Sequence, residues 1–223
     1  MDPFIWLEDD YAWNDERHMV VKNGKPVDWD EIPEEIRHKL KLYGFILPNG
    51  LEKVLHHDWE ITMRIRELAE KINEDYKNIE QPLILVGILK GSFILMADLV
   101  RQLRIPHIVD FMAVSSYGDK LENDGNVRII MDCRVSQKNR DVLIVEDIVD
   151  TGYTLDYIAN NFKSRGTKSV KTATLLDKPA GRKVDFKADY VGFELEGDAW
   201  VVGYGLDAAE KWRTLPYIAT IKR

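Results

Sequence analysis

Two short runs, Leu83–Leu89 and Val142–Val145, contain no polar residue. A strand with one face in water alternates apolar and polar residues, so a run without that alternation has to be covered on both faces. Helices on either side of a parallel sheet provide such cover. Apolar residues at helical spacing (Ile61, Ile65, Leu68, Ala69, Ile72, Tyr76) precede the first run, and helical segments over Phe93–Leu103 and about Thr154–Ser164 follow the two runs, the second stopped at Gly166. Further strand-like segments are Ile108–Ser115, Val127–Met131, Val170–Leu176, Tyr190–Phe193, Trp200–Val202 and Tyr217–Ile221. This alternation predicts an α/β fold, a twisted and mostly parallel sheet flanked by helices. In such sheets ligands gather at the carboxyl ends of the strands.

Charge divides the chain. Residues 1–45 hold 11 acidic and 6 basic residues of the 38 and 31 in the whole chain, which leaves residues 46–223 nearly neutral. The same 45 residues carry three of the six tryptophans (Trp6, Trp13, Trp29), too many aromatics for a solvated acidic tail. We therefore expect two parts: an ordered N-terminal appendage, 1–45, packed on a body, 46–223. Within the appendage Asn23-Gly24 predicts a tight hairpin turn, and Asp30 is expected to cap a helix running to Tyr43 with Pro33 in its first turn. The net charge of −7 gives no electrostatic case for a nucleic-acid partner. No apolar stretch approaches the roughly 20 residues a membrane-spanning helix needs. The single cysteine, Cys133, excludes an intrachain disulfide and fits a reducing, cytoplasmic setting.

The chemistry is concentrated where the second apolar run ends. Val142–Val145 leads into Glu146-Asp147, a third carboxylate at Asp150, then Thr151-Gly152-Tyr153-Thr154 at the start of a helix. Successive backbone N–H groups and two hydroxyls at a helix N-terminus form an anion site, and Gly152 lets the backbone approach closely. Glu146 and Asp147 beside it suit a sugar diol or the oxygen shell of a magnesium ion.

This segment resembles the phosphoribosyl-pyrophosphate (PRPP) signature of the type I phosphoribosyltransferases. More narrowly, residues 46–223 resemble the hypoxanthine-guanine phosphoribosyltransferases. The matching motifs are Leu47-Pro-Asn-Gly50, Leu89-Lys90-Gly91-Ser92, Ser115-Ser116-Tyr117-Gly118, Leu176-Asp-Lys178-Pro and Val201-Val-Gly-Tyr-Gly-Leu-Asp207 with Trp212-Arg213. Asp-Lys-Pro-Ala-Gly-Arg and Ser-Ser-Tyr-Gly point to the protozoan members, some of which also accept xanthine. The resemblance implies a small hood over the sheet, PRPP and a 6-oxopurine as substrates, Mg2+ as cofactor, and a homodimer or homotetramer.

It also implies roles for particular residues. Asp150 faces purine N7 as general base or hydrogen-bond partner, while Thr151, Gly152, Tyr153 and Thr154 hold the 5′-phosphate. Glu146 and Asp147 take the ribose hydroxyls, directly or through magnesium. Lys90, Gly91 and Arg213 bind pyrophosphate, with a cis peptide at Leu89–Lys90. Lys178 donates to the 6-oxo group, and a protonated lysine, having donors and no acceptor, rejects an exocyclic amine there. Trp200 stacks on the purine, Val201 meets its edge, and Asp207 binds a second magnesium. Ser116 and Tyr117 belong to a closing loop. Tyr153 stands where vertebrate members often have lysine, which predicts altered phosphate affinity rather than lost activity. A catalytically weak PRPP-binding relative or regulator on the same fold is the competing expectation, and the presence of Asp150 weighs against it.

Overall fold

The computed structural model describes residues 4–8, 11–14, 19–116 and 127–222. Its elements are β1 (Phe4–Glu8), β2 (Tyr11–Asn14), β3 (Met19–Lys22), β4 (Lys25–Pro26), α1 (Glu34–Leu42), β5 (Leu51–His56), α2 (Asp58–Asp75), β6 (Leu83–Leu89), α3 (Phe93–Val100), β7 (His107–Ser116), β8 (Val127–Met131), β9 (Asp141–Val149), α4 (Tyr153–Ser164), β10 (Ser169–Asp177), β11 (Tyr190–Glu194), β12 (Val201–Val202) and β13 (Ile218–Ile221).

The central sheet has the order β11-β10-β9-β6-β7-β8 and is parallel except for β8. Its two middle strands are the two apolar runs, now longer in the case of β9. Alternate residues face opposite layers, as the period of a strand requires. Leu83, Leu85, Leu143 and Val145 pack with Ile65, Ile72, Leu95 and Leu99 of α2 and α3. Ile84, Val86, Val142 and Ile144 pack with Leu155, Ile158 and Phe162 of α4. A second sheet, β12-β13-β5, joins the chain end to the segment before α2.

The chain leaves β6 through α3 toward β7 and leaves β9 through α4 toward β10, so the winding reverses between β6 and β9. The two strands pair only from Ile84↔Val142 to Gly87↔Val145. Beyond that point β9 stays with β10 as far as Val149↔Asp177, and β6 stays with β7 as far as Leu89↔Ala113. A crevice therefore opens at the carboxyl ends, where open α/β sheets bind their ligands.

The N-terminal residues make their own antiparallel sheet, β1-β2-β3-β4, turned at Asn23 and Gly24 with φ of 51° and 76°. Both values are positive, as the expected turn requires. Tyr11, Trp13 and Val20 pack on Ile32, Ile36 and Leu40. Phe45 links this cluster to α2: its ring lies 5.5 Å from Trp13, 6.0 Å from His57 and 6.5 Å from Trp59. Trp29, by contrast, stays 41% exposed beneath the Arg37 guanidinium.

Two sequence expectations need correction here. Asp30 does not cap a helix: it lies in a 3-10 turn, Trp29–Glu31, and α1 starts at Glu34 with Pro33 as its N-cap. Proline disfavours helical backbone in the residue before it, and Ile32 is extended at ψ 127°, which splits the predicted helix in two. The helix from Phe93 ends at Val100, three residues earlier than expected. Tyr117 and the polar segment 118–125 lie outside the described residues, and Ser116 ends β7.

Ile144 is fully buried between β6, β10 and α4. Ile144→Ala is expected to cost about 2–5 kcal/mol in urea or guanidinium unfolding. A loss under about 1 kcal/mol would mean that this layer is not the core described.

Candidate active site

Glu146 and Asp147 do not follow the strand, as the apolar run suggested, but lie within it. Glu146 pairs with Thr174 of β10, on the stretch of β9 that β6 no longer covers. Their carboxyls hydrogen-bond to one another, and Ile148 N–H donates to Asp147 Oδ1 at 2.8 Å. Glu146 Oε2 is buried and has no hydrogen-bond partner among the described residues. Burial, followed by the charge of Asp147, holds the Glu146 carboxyl well above the ordinary carboxylate range. Burial raises Asp147 as well, opposed by its hydrogen bonds from Glu146 and Ile148. Burial and mutual charge thus disfavour ionising both acids together.

The anion loop follows. Gly152 is the N-cap of α4 at φ 87°, and no side chain caps the helix, so its first-turn N–H groups are left for another acceptor. A cavity of about 160 Å³ sits there, lined by Glu146, Val149, Asp150, Thr151, Gly152 and Thr154 among others. Tyr153 is the first residue of the helix and does not line it.

Three other loops close around this point. Gly91 lies so near Asp147 that a Cβ there would fall 1.6 Å from Oδ2, so no larger residue fits. Gly205 is as close to Gly91: a Cβ on it would meet the Gly91 carbonyl at 2.0 Å. The Leu89–Lys90 peptide is cis. Lys90 Nζ and Arg213 Nη2 are bridged by the two oxygens of Glu210, at 2.8 and 3.2 Å, and Arg213 also pairs with Asp207 at 2.7 Å. Lys90, Gly91, Asp207 and Arg213, more than 100 residues apart at the extremes, are thus one neighbourhood.

On the other side the strap after β10 locks the loop. Lys178 N–H donates to Val149 O and Lys183 N–H to Thr151 O, both at 2.9 Å. Arg182 donates to the carbonyls of Asp150 (3.0 Å), Val149 (3.4 Å) and Phe186, and pairs with Asp177. A Cβ on Gly181 would meet Asp150 Oδ1 at 1.7 Å. Asp150 itself is exposed, while Lys178 is buried and paired with Asp198. Trp200 is 62% exposed at a cleft of about 610 Å³, which fits a ligand face better than core packing. Val201 begins β12 beside it.

Sequence reasoning did not single out Gly181, Arg182, Gly205, Asp198 or Glu210. The first three sit inside motifs already quoted, whereas the two acids carry no sequence signal. Cys133 is half-buried with its thiol pushed up to about 12, chiefly by burial, and is no nucleophile. His56 stacks on Phe193, His57 packs on Trp59, and His107 contacts Ile105 O, all structural contacts.

A carboxyl raised by folding costs nothing while protonated, and the cost grows as pH climbs past the ordinary carboxylate value. Glu146→Gln should therefore raise the melting temperature of the metal-free protein by roughly 2–4 °C at neutral pH. The gain should disappear below about pH 4, where both side chains are neutral. A variant that melts lower at every pH would show that the buried acid is not a liability.

Comparison with known proteins places this geometry. The phosphoribosyl transferase domain model matches residues 53–209. The hypoxanthine-guanine phosphoribosyltransferase of Bacillus subtilis (strain 168) is 46% identical over 177 residues, 79% of this chain and 97% of that one. The hypoxanthine phosphoribosyltransferase of Salmonella typhimurium is 44% identical over 76% of this chain and 94% of its own. A solved structure of the Trypanosoma cruzi hypoxanthine phosphoribosyltransferase superimposes with a TM-score of 0.75 at 43% identity, covering 79% of this chain and 94% of that one. Bacterial and protozoan relatives thus match to a similar degree. With the parted strands, the paired acids and the uncapped helix end in one place, the chain belongs to the phosphoribosyltransferase family, among the hypoxanthine-guanine phosphoribosyltransferases.

Proposed function

We propose that this protein transfers the phosphoribosyl group of PRPP to hypoxanthine or guanine, releasing pyrophosphate and forming the nucleoside monophosphate, as in purine salvage. The observation that carries this is the cavity at the start of α4, lined by Glu146 together with Asp150, Thr151, Gly152 and Thr154; Asp147 is hydrogen-bonded to Glu146. A 5′-phosphate fits the N–H groups of Thr151–Thr154, and the ribose diol then reaches the two acids.

Glu146 and Asp147 also fit a divalent cation, because a buried carboxylate oxygen without a partner calls for one. No cluster of three or more His, Cys, Asp or Glu suited to a metal is found among the described residues, so Mg2+ here would complete its shell with substrate and water oxygens. Asp207 is the proposed carboxylate for a second ion. When bound, such a cation neutralises the leaving pyrophosphate.

Lys90, Gly91 and Arg213 bind that pyrophosphate, which takes over the donors Glu210 now occupies. Asp150, held by its backbone through Arg182, takes the proton from purine N7 as C1′–N bond formation makes the ring positive, leaving the neutral nucleotide base. Lys178 donates to the 6-oxo group, Trp200 stacks on the ring and Val201 meets its edge. Ser116 and Tyr117 remain proposed for the loop that excludes water.

The same proposal treats residues 46–223 as the transferase and residues 1–45 as an added unit. It expects a homodimer or homotetramer in the cytoplasm, without nucleic-acid or membrane partners. No helix among the described residues is long and apolar enough to cross a membrane.

A spectrophotometric panel with PRPP, magnesium and each base tests the proposal. Hypoxanthine and guanine should turn over, and adenine should not; turnover with adenine alone would overturn it. Asp150→Asn should lower kcat by about 100-fold or more while PRPP affinity stays within about threefold. An unchanged kcat would remove Asp150 from its role.

A further inference from the structure

The base-selecting lysine has a partner that the reaction does not need. Lys178 Nζ lies 2.6 Å from Asp198 Oδ1, yet the lysine side chain is 7% exposed and the aspartate 71%. Asp198 follows Gly197, which is left-handed at φ 69° and faces open space, and it precedes Trp200 by two residues. Both Asp198 and Trp200 line the cleft of about 610 Å³, together with Glu52 and Lys222. Glu194, which ends β11, and Glu196 on the connection are exposed, and Asp177 beside Lys178 is held by Arg182. The side chains facing the cleft thus set Asp198 and Glu52 against Lys222, with the buried ammonium of Lys178 already balanced.

Resting on the proposal that Lys178 meets the 6-oxo oxygen, we propose that Asp198 is a specificity-determining residue, selecting bases whose ring is neutral. The ammonium has three donors, so a neutral lactam oxygen can take one while Asp198 keeps another. No charge has to be displaced. A base whose ring has lost a proton, as the 2,6-dioxopurine xanthine does near neutral pH, competes with Asp198 for the same cation. Like charges brought together over a poorly hydrated lysine cost more than they do in water. Discrimination then follows the ring's charge, not its shape.

Asp198→Asn keeps the size and one acceptor oxygen while removing the charge. Its readout is the ratio of xanthine to hypoxanthine kcat/KM, above and below the pH at which xanthine's ring ionises. The ratio should rise about tenfold over wild type at the higher pH, equivalent to about 1.4 kcal/mol, and stay near the wild-type ratio at the lower pH. Asp198→Glu should behave as wild type. An unchanged ratio, or an equal change for both bases, would overturn the proposal.

Calorimetric affinities for xanthosine and inosine monophosphates read the same preference without turnover. A shifted affinity ratio in an enzyme that turns over no base would count against the proposed reaction and for Asp198. Turnover of hypoxanthine with no shift would count the other way.

Discussion

Two carboxyl groups in contact at the end of a buried strand are costly, and much of this molecule is arranged around that cost. Glu146 and Asp147 stay on β9 because β10 continues to pair with it, while β6 has already turned away. Their burial raises both carboxyls above the ordinary range, and one oxygen of Glu146 has no partner among the described residues. An apolar pair at these positions would be cheaper for folding. Retaining the acids makes sense only if something with hydroxyls or positive charge enters the crevice.

The loops around the pair are shaped by what they have to admit. Gly91 and Gly205 are stacked so closely on Asp147 and on each other that a methyl group on either would collide with its neighbour. Arg182 works from the opposite side, donating to successive backbone carbonyls so that Asp150 is placed by the main chain rather than by its own side chain. Glycines set how closely these backbone segments approach, and the arginine ties the loop to the strap after β10. Lys90 and Arg213 rest on Glu210, and Lys178 rests on Asp198. The cations proposed for substrate oxygens are thus each paired with a carboxylate.

Much of this could be seen in the sequence, and the reasons are physical. Runs such as Leu83–Leu89 admit few structures other than a strand buried on both faces, so the sheet and its two layers could be anticipated. The order of acids, Thr-Gly-Tyr-Thr and helix is local, so the turn into α4 at Gly152 could be anticipated too. The split between β6 and β9 could not, because where two strands stop pairing depends on neighbours distant in sequence. For the same reason Glu146 and Asp147 were expected after the strand rather than within it. Asp198 and Glu210 are ordinary exposed acids in sequence and gain meaning only from the lysine and arginine that the fold brings to them. The break at Pro33 was legible in principle from the proline's effect on Ile32, which outweighs any capping by Asp30.

The most direct measurement is a crystal structure of the protein with a nucleoside 5′-monophosphate and magnesium. The account predicts the phosphate on the backbone N–H groups of Thr151–Thr154 and the ribose hydroxyls, or a cation bound to them, on Glu146 and Asp147. A nucleotide bound elsewhere, with that helix end and those two acids untouched, would contradict it.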